Sequence, residues 1–97
     1  MRALIVDDEP LARDRIRLLL ERDSLVAAVA EAKSGQEALE IIPRDRPDLI
    51  FLDVQMPGLS GFEMLEKLAV KPGPEVIFVT AHDHYAVRAF EFHAVDY

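Results

Sequence analysis

Four short apolar runs set the terms on which this chain can fold: ALIV at 3–6, LVAAVA at 25–30, LIFLDV at 49–54 and VIFVT at 76–80. None has the polar alternation of a sheet with one wet face. Near-continuous apolar runs of this length describe strands covered on both sides, as in parallel sheets. Helical patterns lie between them. One starts near Pro10, a residue suited to the first turn of a helix. It places Leu11, Ile16, Leu19 and Leu20 on one face, with Arg13, Arg17 and Glu21 mostly opposite. A second opens on the capping box Ser34/Glu37, continues through Ala38, Leu39, Ile41 and Ile42, and is expected to end at Pro43 and Pro47. A third opens on Ser60/Glu63, carries Met64, Leu65 and Leu68, and is expected to stop at KPGP, 71–74. A fourth helical stretch spans 85–92, and the fragment AVDY closes the sequence.

The order βαβαβαβα predicts right-handed crossovers and a doubly wound parallel sheet in a single domain over 1–97. With 51% hydrophobic residues, the chain has enough apolar side chains for a real core. It contains no cysteine, which removes disulfides and thiolate metal sites. The formal net charge of −7 makes this domain by itself a poor ligand for DNA. No apolar run approaches a membrane span, and no signal-peptide pattern opens the sequence. A cytoplasmic location with no membrane partner is the corresponding expectation.

Ligands of such sheets sit at the carboxyl ends of the strands. Asp7 and Asp8 end the first strand, Asp53 lies within the third apolar run, and Thr80 ends the fourth. The plainer reading is that Asp7, Asp8 or Glu9 caps the first helix. Asp53 follows LIFL and precedes a turn, where a capping role is not obvious. Three carboxylates gathered without a cation would raise one another's pKa values. A hard, oxygen-seeking cation resolves that conflict, and Mg²⁺ fits best, with Mn²⁺ as a substitute. In MPGLSG, 56–61, Pro57 stiffens the exit from the strand, and Gly58 or Gly61 supplies a positive φ. His82, His84 and His93 lack the spacing of a zinc site.

VDDEP (6–10), LDVQMPGLSGFEML (52–65) and VTAHDHYAVRAFEFHAVDY (79–97) together resemble the receiver domain of two-component response regulators, along the whole chain. The last segment is similar to receivers of LytTR-type regulators. The resemblance implies a flavodoxin-like sheet of order 2-1-3-4-5, with strand 5 and helix 5 incomplete or absent in this chain. It implies a phospho-accepting regulatory domain that acts only on itself, not an enzyme with an external substrate. Phosphoryl transfer would run from a sensor histidine kinase to Asp53. Asp8, Asp53 and the backbone carbonyl of Gln55 would bind Mg²⁺, and Asp7 would act through a metal-bound water. Thr80 would hydrogen-bond the phosphoryl group, small Ala81 would admit it, His82 would tune its hydrolysis, and Tyr97 would be the switch aromatic.

The family's lysine would come three residues after Tyr97, beyond this sequence. With strand 5 missing, strand 4 would be an open edge and pairing with a second copy is expected, through helix 4 and the C-terminal edge. DNA would be reached only through an output domain. Two readings from other classes remain: a non-phosphorylated flavodoxin-like interaction module, and a Mg²⁺-dependent aspartyl phosphatase. Gln55 weakens the second, because it stands where such an enzyme needs an acid and cannot transfer a proton.

Overall fold

A computed structural model of the chain describes residues 1–68 and 73–79. Its elements are β1 (Arg2–Val6), α1 (Pro10–Glu21), β2 (Ala28–Ala32), α2 (Gly35–Asp45), β3 (Leu49–Asp53), α3 (Gly61–Lys67) and β4 (Glu75–Val79). The strands form one sheet of order β2-β1-β3-β4, parallel throughout. The expected helix at 85–92, the fragment AVDY and the edge contacts of β4 with a fifth strand lie outside the described residues.

Successive residues of β1 point to opposite faces and enter two separate cores. Leu4 and Val6 pack with Ala38 and Ile42 of α2, Phe62 and Met64 of α3, and Ile50, Leu52, Val76 and Phe78 of the sheet. Ala3 and Ile5 pack with Leu20 of α1, against which Ile16, Val29 and Phe51 also lie. Helices therefore cover both faces, which is why β1 reads as an unbroken apolar run. Phe62 and Phe78 meet with ring centroids 5.0 Å apart at 40°, fixing α3 against β4.

Three boundaries and one helix face differ from expectation for identifiable reasons. β2 runs three residues later at its start than the apolar run at 25–30. Its register pairs Arg2 with Ala28 and Val6 with Ala32, and the backbone before it turns, with the Met1 ammonium donating to the Leu25 carbonyl at 2.8 Å. Glu31 enters the strand because two arginines of α1 neutralise it. α2 passes through Pro43 and ends at Asp45, where Arg46 adopts the left-handed conformation (φ 46°) and its N–H closes on the Ile42 carbonyl. A proline this near the end of a helix leaves little helix beyond it to disturb. α3 has the predicted capping box but ends at Lys67, because Leu68 is already extended (ψ 122°). In α1, Leu20 is buried and Ile16 partly so, whereas Leu11 and Leu19 are exposed. Arg13 and Arg17, expected away from the packed side, turn toward β2.

Candidate functional site

The carboxyl ends of β1 and β3 lie side by side, since Val6 pairs with Leu52 in the register. Asp7 therefore leaves the sheet next to Asp53, the last residue of β3. Asp7, Asp8 and Asp53 bring one carboxylate oxygen each within 4.8 Å of one another. Asp7 is buried (5% exposed), and Asp8 and Asp53 are half-buried at the rim.

None of the acids at the start of α1 caps it in the way the plainer reading required. Glu9 occupies the N-cap position and makes no side-chain cap bond. Asp7 Oδ1 instead accepts the Glu9 N–H at 2.9 Å, which ties its own loop. Asp53 Oδ1 accepts the Gln55 N–H at 3.1 Å in the same manner. Each bond uses one acceptor direction and leaves the rest of that carboxylate's acceptor capacity for a further ligand.

The electrostatics follow from that crowding. Burial pushes the Asp53 carboxyl up to about 6; the Gln55 N–H opposes this, and the negative charges of Asp7 and Asp8 and a carboxyl hydrogen bond with Asp7 add to it. Asp7 is also raised, first by burial and further by Asp8, against the Glu9 N–H, the Arg13 charge and the bond from Asp53. The Asp7–Asp53 bond favours ionised Asp7 and protonated Asp53, so of the two Asp53 is the one whose proton this contact helps to retain as pH rises. The donor set is all oxygen and strongly negative, which suits a hard divalent cation.

The loop after Asp53 is shaped by two glycines for different reasons. Gly58 takes φ 77°, which side-chain-bearing residues rarely adopt. Gly61 is required by close approach: a Cβ there would sit 2.6 Å from the Asp53 carbonyl oxygen. Its N–H donates to the Val54 carbonyl at 3.3 Å. The start of α3 is thus seated directly on the backbone that carries Asp53.

Sequence reasoning placed Asp7, Asp8, Asp53 and Gln55 together, and the described residues contain all four at this edge. Thr80, Ala81, His82 and Tyr97 lie outside the described residues. What it missed is Arg13, whose Nη1 donates to the Asp7 carbonyl at 2.8 Å, and Glu31, which accepts from Arg13 Nε at 3.0 Å. The signal was there: arginines four apart on α1 and a lone acid in an alanine-rich strand.

Comparison with known proteins agrees with this arrangement. The model of the response regulator receiver domain matches residues 3–97. The chain is 46% identical over 97 residues to the transcriptional regulatory protein BtsR of Salmonella typhimurium, covering all of this chain and 41% of that protein. It is 47% identical over 98 residues to the sensory transduction protein LytT of Enterococcus faecalis, covering all of this chain and 40% of that one. The chain therefore spans about two fifths of the length of these relatives. The response regulator TrrA of Thermotoga maritima, solved in complex with Mg²⁺ and BeF, superimposes with a TM-score of 0.85 at 33% identity, covering 99% of this chain and 83% of that one. With the parallel 2-1-3-4 sheet and the acidic edge already in place, the chain belongs to the response regulator receiver domain family, among relatives of the LytTR type.

Proposed function

We propose that this domain accepts a phosphoryl group on Asp53 in a Mg²⁺-dependent reaction with a sensor histidine kinase. The observation that carries the reading is the meeting of three carboxylates within 4.8 Å at the ends of β1 and β3. A carboxylate of Asp53 attacks phosphorus, the P–N bond to the kinase imidazole breaks, and the released nitrogen takes up a proton. Asp53 must be ionised to attack, and its carboxyl sits near 6 without a cation. Asp8, Asp53 and the Gln55 carbonyl would hold the ion directly, and buried Asp7 would hold it through a water. Mg²⁺ there would neutralise charge on the carboxylates and on the transferring group. Within the protein, the Gln55 N–H orients the Asp53 carboxylate, and the Glu9 N–H orients that of Asp7.

The roles of Thr80, Ala81, His82 and Tyr97 remain those the resemblance implies: phosphoryl contact, steric access, tuning of hydrolysis and switching. Self-dephosphorylation would be the domain's only hydrolytic activity. Pairing of two copies through helix 4 and the C-terminal edge, and DNA binding through an output domain, belong to the same proposal. Its support is that BtsR is a transcriptional regulatory protein of which this chain matches 41%. A cytoplasmic setting follows from a kinase partner. No helix among the described residues is long and apolar enough to cross a membrane.

Acetyl phosphate with Mg²⁺, followed by intact mass, tests the reading. One added phosphoryl group, lost in Asp53→Asn, is the expected result. An unreactive protein points to the inert module, and rapid turnover of an external phosphoester points to the phosphatase.

A further inference from the structure

Among the described residues, a set of part-buried polar contacts between α1 and β2 has no part in the chemistry above. Glu31, the fourth of the five residues of β2, accepts from Arg13 Nε at 3.0 Å on one oxygen and from Arg17 Nε at 2.5 Å on the other. Arg17 also donates from Nη2 to the Val29 carbonyl at 3.2 Å. Arg13 differs from Arg17 in the direction of its remaining donor. Its Nη1 reaches the backbone carbonyl of Asp7 at 2.8 Å. The Asp7 N–H is already spent on the Ala32 carbonyl at 3.1 Å. Asp7 is therefore pinned at its N–H by β2 and at its carbonyl by α1.

The carbonyl of Asp7 lies in one rigid plane with the N–H and Cα of Asp8. Fixing that oxygen fixes the direction in which Asp8 leaves the strand. We propose that Arg13, clamped by Glu31, is a positioning residue that sets the Asp7–Asp8 peptide for cation binding. A planar guanidinium suits the task, because one edge can bond a carboxylate while another nitrogen bonds a carbonyl at a set angle; a lysine ammonium has no such fixed fork. Groups that orient ligands from behind typically change metal affinity by about 10- to 100-fold when removed. The cation-binding consequence rests on the proposed Mg²⁺ site. The effect on the loop does not.

The test uses the intact protein, with Arg13→Gln and Arg17→Gln compared by NMR. Arg17→Gln is the control, since it removes the other partner of Glu31 and leaves the Asp7 carbonyl bonded. In metal-free protein, the Asp8 amide order parameter is expected to fall from the rigid range of about 0.85 toward 0.6 in Arg13→Gln and to stay high in Arg17→Gln. Mg²⁺ titration is expected to give about tenfold weaker binding for Arg13→Gln alone. The inference is overturned if Arg13→Gln keeps a rigid Asp8 amide, if the parent binds Mg²⁺ and Arg13→Gln loosens the amide without weakening that binding, or if Arg17→Gln loosens the Asp8 amide as much as Arg13→Gln does. A parent protein that binds no Mg²⁺, with Asp8 loosened only in Arg13→Gln, refutes the metal reading and supports the positioning role.

Discussion

Asp53 is held in a state that its surroundings oppose. Its carboxyl is raised to about 6 in the folded chain, above an ordinary value near 3.8, because burial and two neighbouring acids disfavour its charge. Between these values the folded protein binds more protons than the unfolded one, so stability falls as pH rises from about 4 to about 6 and stays lowered above that. Solvent around the half-buried carboxyl screens part of the penalty, which leaves an effect on the order of 1 kcal/mol. Asp53→Asn is accordingly expected to raise the melting temperature of metal-free protein at pH 7 by a few degrees, roughly 4–8 °C per kcal/mol, and to do little at pH 4. Thermal melts across that range check the sign, and an Asp53→Asn protein less stable at pH 7 than the parent contradicts it. Asp8 and Asp7 separate in a different experiment. Asp8→Ala should weaken Mg²⁺ binding more than Asp7→Ala, since on the proposed assignment the first removes a direct ligand and the second a group that acts through water. Titration of the two variants decides it, and equal losses count against the assignment. The acids themselves were legible in VDDEP and LIFLD because polar residues at the ends of apolar runs stand out. Arg13 was not, because its role depends on Glu31, 18 residues away and in register only once β2 pairs with β1.

Elements place these residues, and α3 does so by contact. Gly61 begins that helix where a Cβ would meet the Asp53 carbonyl oxygen at 2.6 Å and the Val54 Cα at 3.0 Å. Both are backbone atoms that cannot swing aside. Gly61→Ala is expected to cost about 1–3 kcal/mol through overpacking and to slow phosphorylation by displacing the strand end. Denaturant unfolding together with acetyl phosphate kinetics measures both, and an Ala variant equal to the parent in each would show that the approach is not a constraint. The capping box Ser60/Glu63 was readable from the sequence, and both of its bonds are present, Ser60 Oγ accepting the Glu63 N–H and Glu63 accepting the Ser60 N–H. The ends of elements were harder to read. Pro43 looked like a stop, yet the helix tolerates it near its last turn. Leu11 and Leu19 looked like core on periodicity alone, yet α1 is rotated so that Arg13 and Arg17 reach β2. Local pattern gives the existence and type of an element, while pairing partners decide its rotation and limits.

At the scale of the whole molecule, the sheet serves as a rigid base and the acids form its charged rim. Two cores on opposite faces of β1 hold the strand ends in register, so the gathering of the acids is imposed by packing rather than by their own attraction. A cation that binds only the folded form returns stability that the acids remove. Mg²⁺ is therefore expected to raise the melting temperature at pH 7 and to leave it unchanged at pH 4, where Asp53 is protonated. The doubly wound fold was legible because continuous apolar runs alternate with amphipathic helices, and the 2-1-3-4 order agrees with the family resemblance. The most direct measurement is phosphorylation itself: intact mass and peptide mapping after acetyl phosphate, with and without Mg²⁺. One phosphoryl group is expected, on Asp53, formed only with Mg²⁺ present. A phosphoryl group on another residue, or equal labelling of Asp53→Asn, would contradict it.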